Sequence, residues 1–491
     1  MLKRIRTILA AVVFILITLL FLDFTGTAHH WLSWMAKVQF LPAVLALNVS
    51  VVVMLIVLTL IFGRIYCSVI CPLGVFQDIL ARFHRKKNKY GYSKEVRWLR
   101  YPVLVVFVIA LVAGVGSFFQ LLAPYSSYGR IATMIFQPLW MLGNNVLAVI
   151  AERADSYAFY SVDVWMKSLP VFIIALVTLV VLFVLAWRGG RTYCNTICPV
   201  GTTLSFFSRF SLLKICFDAD KCKNCSMCSR NCKAACIDYK THTVDYSRCV
   251  VCGNCISNCK FGALQYSRRT SRTSPASSSS SVDTSKRSFL LASAMVAGAA
   301  MAQKKEKLMD GGLAELDDKV APERQTPLTP PGSLSFQHFA QRCTGCQLCV
   351  SECPNHVLRP SGDLMHLMLP EMSYEHGYCR PECTRCSEVC PAGAIKVVDK
   401  PEKSSVQIGH AVWIKKNCVV LTDEVECGNC ARHCPSGAIE MVPLDPDNEE
   451  SPMIPAINEA ACIGCGACEY VCPSRPFSAI YVEGHEVHKK I

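Results

Sequence analysis

The sequence predicts a multi-domain protein in which a polytopic α-helical membrane domain is joined to small cysteine-rich α+β modules. Three observations in the 491 residues support this fold class. Four apolar segments near the amino terminus are long enough, or nearly so, to cross a bilayer. A twelve-residue motif with two cysteines occurs twice beside these segments. Six further runs of closely spaced cysteines follow, and they contain most of the 30 cysteines of the chain.

The four apolar segments cover residues 8–24, 41–62, 101–122 and 169–187. The loop after the second segment is strongly basic and contains Arg82, Arg85, Lys86 and Arg100. By the positive-inside rule, this loop and the amino terminus face the cytoplasm, and residues 124–168 lie outside. Residues 1–210 are therefore predicted to form a four-helix membrane domain. Much of the net charge of +13 lies in such short loops, so we expect membrane lipid, and no nucleic acid, as a partner.

Each copy of the repeated motif follows the second helix of a two-helix half. The copies are GRIYCSVICPLG at residues 63–74 (loop 1) and GRTYCNTICPVG at residues 190–201 (loop 2). Both loops then lie on one side, and a pseudo-two-fold arrangement brings together Cys67, Cys71, Cys194 and Cys198. Four soft thiolates at one place suit a further iron–sulfur cluster or another soft metal. A redox-active thiol pair and a purely structural role are the alternatives.

The six other runs share the spacing C-x2-C-x2-C-x3-C, or a variant with a longer first loop. In bacterial ferredoxins, three cysteines of such a run bind one [4Fe–4S] cluster and the fourth binds the partner cluster. Zinc sites use two pairs of ligands, and a disulfide framework would not need equal groups of four. The runs therefore predict six [4Fe–4S] clusters in ferredoxin-like modules.

Two of these runs lie in residues 211–266, which are predicted to form a two-cluster module. Crossed ligation assigns one cluster to Cys222, Cys225, Cys228 and Cys259, and the other to Cys249, Cys252, Cys255 and Cys232. Lys instead of Pro follows Cys232 and Cys259, and Cys236 is an alternative ligand to Cys232.

The other four runs lie in residues 336–491, which are predicted to form a four-cluster domain. The order of the runs suggests nested pairing, first with fourth and second with third. The ligand sets would be Cys343, Cys346, Cys349 with Cys472; Cys462, Cys465, Cys468 with Cys353; Cys379, Cys383, Cys386 with Cys434; and Cys418, Cys427, Cys430 with Cys390. Sequential pairing is the alternative. Short strands are predicted at residues 394–398 and 438–442.

A Ser-rich linker, residues 267–335, separates the two cluster-bearing regions. Within it, residues 286–302 combine a Lys-Arg pair with a short apolar stretch that ends in Ala-Met-Ala. This pattern is typical of a secretion signal and resembles a twin-arginine signal, so we expect residues 336–491 to lie outside the cytoplasmic membrane. A retained anchor or a buried helix is the alternative.

The order of these motifs resembles two known families. Residues 1–266, with loops 1 and 2 and the two-cluster module, resemble the NapH family of membrane iron–sulfur proteins, which is similar to NosR and CcoG in its membrane half. Residues 286–491 resemble the NapG (also MauM) family of exported four-cluster proteins. The chain thus looks like a fusion of the two. This resemblance implies a quinol dehydrogenase that passes electrons to a periplasmic reductase, usually nitrate reductase.

We therefore expect a multi-pass protein of the cytoplasmic membrane that passes electrons from membrane quinol to a soluble cytochrome or molybdenum reductase. Residues 1–266 would face the cytoplasm. His29, His30 and Trp31 are the first candidates for the quinone site, and Asn48 and Gln137 rank lower. A NosR- or CcoG-like maturation protein that reduces a metal is one alternative function. A cytoplasm-facing ferredoxin–quinone oxidoreductase subunit is another.

The predicted positions of the clusters leave a gap. The sequence contains no C-x-x-C-H haem motif, so no carrier for electrons across the bilayer is evident. Loops 1 and 2 would have to dip into the membrane, or a partner would have to bridge the gap; otherwise both cluster regions share one side.

Overall fold

The computed structural model describes residues 2–84, 90–114, 116–218, 220–268, 319–448 and 451–491. The predicted signal at residues 286–302 and most of the linker lie outside these ranges. The helical region and both cysteine-rich regions belong to one compact unit, Met1–Arg269 with Pro322–Ile491. A second unit, Thr270–Ala321, lies almost wholly outside the described residues.

Helices, separated by short breaks, make up most of the first 210 residues. They are α1 (Leu2–Leu22), α2 (Thr27–Lys37), α3 (Phe40–Leu45), α4 (Val49–Phe62), α5 (Tyr66–Val69), α6 (Pro72–Leu80), α7 (Arg97–Val112), α8 (Gly116–Leu122), α9 (Pro124–Ile131), α10 (Gln137–Arg153), α11 (Leu169–Gly189), α12 (Thr192–Thr196) and α13 (Pro199–Ser208). A π-helical turn, Ala132–Phe136, joins α9 to α10.

Among the described residues, three helical runs are apolar and long enough to cross a membrane: Leu2–Leu22, Pro124–Arg153 and Leu169–Gly189. The other two predicted segments are broken, the second between α3 and α4 and the third between α7 and α8. The predicted count of four spanning helices is therefore not confirmed. Asn48 also differs from its predicted place inside a helix, because it caps α4 with its Oδ1, which accepts from Val51 N at 3.4 Å.

Residues 124–168 were expected to lie outside the membrane as a loop, but the first 30 of them form a helical run that is apolar and long enough to cross one. Pro124–Arg153 is one continuous helical run. The polar residues Ser126, Ser127 and Arg130 are fully buried in it, because they face neighbouring helices instead of solvent. Hydropathy missed this run since its polar residues lie inside the protein and its apolar residues largely outside.

Four helices, α1, α4, α7 and α11, extend from one cysteine-rich region to the other. At one end, Tyr266 donates to Phe62 O (2.9 Å), Arg100 donates to Ser247 O (3.3 Å), and Gly253 and Gly190 lie against Lys3 and Lys233. At the other end, Gly26, Ala46, Gly114 and Pro170 lie against Arg385, Gly393, Gln341 and Gly362. The two cysteine-rich regions therefore lie at opposite ends of these helices.

The first cysteine-rich region is a small α+β module. It contains β1 (Leu213–Phe217), α14 (Met227–Arg230), β2 (Ile237–Asp238), β3 (Thr243–Val244), α15 (Asn254–Asn258) and β4 (Leu264–Arg268). β1 pairs with β4 and β2 with β3, both antiparallel. The β1–β4 pair joins the first and last strands and holds the cysteine-bearing helices between them.

The second cysteine-rich region contains three antiparallel pairs of strands. Its elements are α16 (Phe336–Arg342), α17 (Leu348–Ser351), β5 (Leu358–Pro360), β6 (Pro370–Met372), α18 (Arg385–Val389), α19 (Lys400–Ser404), β7 (Val406–Trp413), a 3-10 turn (Lys415–Asn417), α20 (Val419–Thr422), α21 (Asn429–Arg432), β8 (Ile439–Pro443), β9 (Met453–Ile457), α22 (Ala467–Val471) and β10 (Ile480–Lys490). The pairs are β5–β6, β7–β10 and β8–β9. The predicted strand at residues 438–442 is confirmed as β8. The one at residues 394–398 is wrong, because Lys396 N donates to Gly332 O in a loop (2.9 Å).

Candidate metal centres

The cysteines of loops 1 and 2 meet inside the helical region. We call Cys67, Cys71, Cys194 and Cys198 the loop thiols. All four are buried, and they are close electrostatic neighbours of one another. The second cysteine of each loop directly precedes a helix whose first residue is Pro, α6 in one case and α13 in the other. The repeat therefore gathers four thiols from two distant parts of the chain.

The arginine of each loop reaches across to the other loop. Arg64 donates from Nη2 to Cys194 O (3.1 Å) and from Nη1 to Asn195 Oδ1 (3.1 Å). Arg191 donates from Nη1 to Cys67 O (2.5 Å). Each guanidinium thus fixes the carbonyl group of the opposite loop's first cysteine, and the planar fork of arginine suits this task better than a lysine would.

The glycines of the motif also have structural reasons. Gly63 and Gly190 follow α4 and α11 with φ of 77° and 68°, a region of backbone conformation that favours glycine. A Cβ atom at Gly74 would collide with Cys67 O, and one at Gly201 would collide with Cys194 O. The motif therefore specifies how closely the chain packs around the loop thiols.

The charge of Arg64 indicates what the loop thiols can hold. Arg64 is fully buried, and no carboxylate pairs with it in the described part of the chain. A buried cation needs a compensating negative charge, and Arg64 Nη2 lies 3.8 Å from Cys67 Sγ. Thiolates of a cluster or soft metal would supply that charge, whereas neutral thiols would not. The residues present therefore fit a thiolate-bound group.

The first module gathers its cysteines in two groups. Cys222, Cys225, Cys228 and Cys259 line one cavity and form group A. Cys249, Cys252 and Cys255 lie around Cys232 and form group B with it. Cys236 is a fifth thiol beside group B, because its Sγ lies 3.5 Å from Cys232 Sγ. The hydrogen bond with Cys236 lowers the pKa of Cys232 to about 7.

The second region gathers four groups, and each takes its fourth cysteine from a neighbouring run. They are group C (Cys343, Cys346, Cys349 with Cys390), group D (Cys379, Cys383, Cys386 with Cys353), group E (Cys462, Cys465, Cys468 with Cys434) and group F (Cys418, Cys427, Cys430 with Cys472). The nested pairing is therefore wrong, and the arrangement is sequential. The reason is that α17 packs on α18 and α21 on α22, so adjacent runs exchange the cysteine after each helix.

Backbone amides donate to several of these sulfur atoms. The donors are Asn224 N to Cys222, Gly345 N to Cys343 and Ile395 N to Cys390 (3.4 Å each), Ala438 N to Cys434 (3.2 Å) and Ala479 N to Cys472 (3.3 Å). Such bonds to sulfur are one of the features that set cluster potentials. Burial raises the pKa of the free thiols, to about 11 at Cys228 and about 12 at Cys465, so bound iron would be needed to keep them as thiolates.

The spacing of the thiols also bears on the kind of metal group. Among the described residues, no three histidine, cysteine or carboxylate side chains form a set that could hold one metal ion. A [4Fe–4S] cube holds its four thiolates farther apart, because each binds a different iron. The four-thiol donor sets of groups A to F and of the loop thiols are those expected of such cubes.

The six groups and the loop thiols form a row. α14 of group A packs on α15 of group B. The other neighbours are joined by electrostatic interactions or hydrogen bonds: Cys252 with Lys233, which pairs with Asp78 and hence Arg191; Arg130 with Tyr193 and Cys346; Cys349 with Cys386; Cys379 N with Cys465 O (3.0 Å); and Cys468 with Cys430. The loop thiols therefore lie between group B and group C, which are at opposite ends of the helices. Loops 1 and 2 thus lie between the two cysteine-rich regions.

The three first candidates for the quinone site do not form a site together. His29 is buried, and its Nε2 lies 3.6 Å from Glu388 Oε2 where α2 meets α18. His30 and Trp31 are exposed on the same helix. Gln137 lies elsewhere, and its Nε2 donates to Ser351 O at 3.3 Å.

Sequence reasoning missed three cations beside the thiol groups. Lys403 is buried, and its Nζ donates to Arg380 O and Cys383 O beside group D. Arg130 lies between the loop thiols and group C. Lys167 lies near Cys353. None of the three is close in sequence to the cysteines that it faces, so spacing carried no signal for them.

Comparison with known families agrees with this chemistry. A family described as "4Fe-4S binding domain" matches residues 44–90 and 170–215, which contain loops 1 and 2. Two families described as "4Fe-4S dicluster domain" match residues 245–357 and 425–475. The fold and the thiol groups thus define an iron–sulfur protein of the ferredoxin type with apolar helices that suggest membrane association.

Relatives carry the comparison further. The chain is 31% identical over 173 residues to the methylamine utilization ferredoxin-type protein MauM of Paracoccus denitrificans, covering 33% of this chain and 73% of that protein. It is 28% identical over 181 residues to the ferredoxin-type protein NapG of Escherichia coli (33% and 75%). It is 25% identical over 185 residues to the uncharacterized protein MJ0749 of Methanocaldococcus jannaschii (36% and 54%), so it spans about half of that relative. No solved structure matches the chain. The chain belongs to the family of ferredoxin-type proteins that includes MauM.

Proposed function

We propose that the chain transfers electrons from a quinol in the cytoplasmic membrane to a soluble acceptor, and that it acts as a quinol dehydrogenase. The observation that carries this proposal is the row of thiol groups that extends from one end of the helices to the other. Oxidation of a quinol to a quinone releases two electrons and two protons, and [4Fe–4S] clusters are one-electron carriers when bound. A row of such carriers suits a two-electron donor.

In this proposal, groups A to F hold six clusters and the loop thiols hold a seventh. The chain's own residues prepare these sites. Arg64 and Arg191 brace the two loops across their shared site, and backbone N–H groups donate to the outer cysteines. Lys403 places a buried positive charge beside group D, which would stabilise the negative charge of cysteine ligands.

We propose that groups A and B face the cytoplasm and that groups C to F face the periplasm. The opposite ends of the helices support this arrangement, as does the basic residue Arg100, which donates to Ser247 O of the first module. The signal-like residues 286–302 support it from the sequence. The acceptor would be a periplasmic cytochrome or molybdenum reductase, as the resemblance to NapG suggests. A reporter fused after Ala302 tests the side directly.

The test of the function uses the full chain, prepared anaerobically in lipid nanodiscs. Decylubiquinol and menadiol are added in turn, and bleaching of the cluster absorbance is followed, with dithionite as the measure of complete reduction. We expect about 28 iron atoms per chain and bleaching by at least one of the two quinols. Bleaching by dithionite with none by either quinol would exclude the quinol dehydrogenase and favour the maturation protein.

A further inference from the structure

A cavity of about 310 Å³ lies where the helical region meets the second cysteine-rich region. Phe24 and Met141 from the helical region, Trp165 and Lys167 from the loop before α11, and Cys353 from the second region line its wall. The pockets of groups D and F are only about 30 Å³ each. A volume near 300 Å³ is at the lower end of the range for small-molecule sites, about 300–1,000 Å³.

The cavity shares a wall with group D. Cys353, Pro354 and Arg385 line both the cavity and the pocket of group D. A molecule in the cavity would therefore lie directly against a thiol of that group.

One side of the cavity is polar. Lys167 Nζ donates to Gln137 Oε1 (2.8 Å), and Gln137 Nε2 donates to Ser351 O (3.3 Å). An ammonium group carries three N–H donors, so Lys167 can hold Gln137 and also donate to an oxygen in the cavity. The ring of Trp165 lies 4.3 Å from that of His376 and 6.1 Å from that of His356, which adds a flat aromatic surface beside these polar groups.

Apolar side chains line another part of the cavity. They include Phe24 and Met141. On α10, which carries Met141, Leu139, Trp140 and Leu142 are each at least half exposed, at 61%, 52% and 50%. These residues belong to one of the helical runs long enough to cross a membrane. The cavity thus suits a flat ring with oxygen substituents and an apolar tail.

We propose that this cavity binds the head group of a membrane quinol, with Lys167 and Gln137 as its polar contacts and with the tail along α10. The proposal rests on the proposed function and adds the location of its substrate. His30 and Trp31 lie outside this site, since neither lines the cavity.

The experiment measures binding of 2-heptyl-4-hydroxyquinoline N-oxide, a fluorescent quinol analogue, to the full chain in nanodiscs. The variants are Lys167→Met, Gln137→Leu and Met141→Trp, and the matched control is His30→Gln. Because a charged hydrogen-bond donor is lost from a half-buried site, we expect affinity about tenfold weaker or more in Lys167→Met. Met141→Trp keeps every polar group and fills the cavity, so it should weaken binding as well. His30→Gln should bind as the parent chain does.

Iron content and complete bleaching by dithionite identify variants with intact clusters. If Gln137→Leu loses iron, the test of the cavity depends on Met141→Trp, because that variant leaves the Gln137 contacts in place. The proposed site would be overturned if the iron-replete Lys167→Met and Met141→Trp variants bound the analogue with the affinity of the parent chain. It would also be overturned if His30→Gln lost as much affinity as these two variants do. In either case, quinol-dependent bleaching of the parent chain would leave the proposed function standing. No analogue binding and no quinol bleaching in the parent chain would reject both.

Discussion

Loops 1 and 2 carry the same motif but differ in their surroundings. The helix after loop 1 contains Asp78, which accepts two hydrogen bonds from Arg191 (2.9 and 2.8 Å) and also pairs with Arg6 and Lys233. The equivalent position after loop 2 is Ser205, whose Oγ donates to Thr202 O (2.6 Å). Arg191 therefore has a carboxylate partner, whereas Arg64 donates to backbone and amide oxygens.

This difference separates two tasks within the repeat. The repeated residues gather the thiols, since both loops use the same Gly, Arg, Cys and Pro positions for the same contacts. The residues outside the repeat determine what each loop touches. Asp78 joins loop 2 to Lys233 beside group B, while Arg64 joins loop 1 to Ser247 O in the same module (2.9 Å). The arginine of loop 2 is therefore held by a carboxylate, whereas the arginine of loop 1 is held by uncharged oxygen acceptors.

The largest expected effect tests whether the two loops contribute equally to the thiol site. Cys67→Ser and Cys194→Ser should each remove one cluster, about 4 of about 28 iron atoms. Groups A and B should then no longer be bleached by quinol, because the loop thiols lie between them and group D. Iron and acid-labile sulfide assays and quinol titrations measure this. Cys216→Ser, outside every group, is the control. Unchanged iron in both loop variants would rule out a cluster at the loop thiols.

The next effect tests the charge that only one copy has. Asp78→Asn leaves Arg6, Arg191 and Lys233 without their shared carboxylate. Removal of one partner from a buried ion pair costs about 3–5 kcal/mol. We expect a loss of this size in the free energy of unfolding. It would appear as lower thermal and denaturant midpoints of the full chain in nanodiscs. Asp218→Asn removes an exposed partner of Lys221 and should change nothing measurable. Equal midpoints for both variants would show that Asp78 does not anchor loop 2.

A smaller effect tests how closely the two loops match in packing. Gly74→Ala and Gly201→Ala each force a methyl group against the carbonyl oxygen of a loop cysteine. Overpacking of this kind costs about 1–3 kcal/mol, and we expect similar losses from both variants. Gly143→Ala on α10, where a Cβ atom would meet nothing within 4 Å, serves as the control. A large loss from one loop variant alone would break the symmetry that the motif implies.

The smallest effect tests Arg64, which has no carboxylate partner among the residues that the structure describes. Arg64→Gln removes a positive charge next to Cys67, so the more negative reduced state of a bound cluster becomes less stable. Its midpoint potential should fall by tens of millivolts, as measured by redox titration with electron paramagnetic resonance. Arg64→Lys keeps the charge and should shift the potential less. An unchanged potential in Arg64→Gln would mean that Arg64 only braces loop 2.

Much of the site could be predicted because a cysteine run is a local structure. Three cysteines within seven residues, such as Cys343, Cys346 and Cys349, can reach one cluster by the spacing alone. The repeat similarly pointed to the loop thiols. The quinone candidates His29, His30 and Trp31 had no such local signal, and they do not share a site. Lys167 and Gln137 meet across 30 residues of sequence, so only packing of the chain shows that contact.

The sequence by itself determined that the first 210 residues are rich in apolar helix, which cysteines are spaced in threes, and that loops 1 and 2 are copies. These properties depend on neighbours a few residues apart. Only the tertiary structure decided that Cys353 joins the second run instead of the fourth, that residues 124–153 form a helical run, and that the loop thiols lie between groups B and C. Those outcomes depend on which helices pack together. Packing between segments that are distant in the chain produces no repeating pattern in the sequence, so it could not be predicted from spacing.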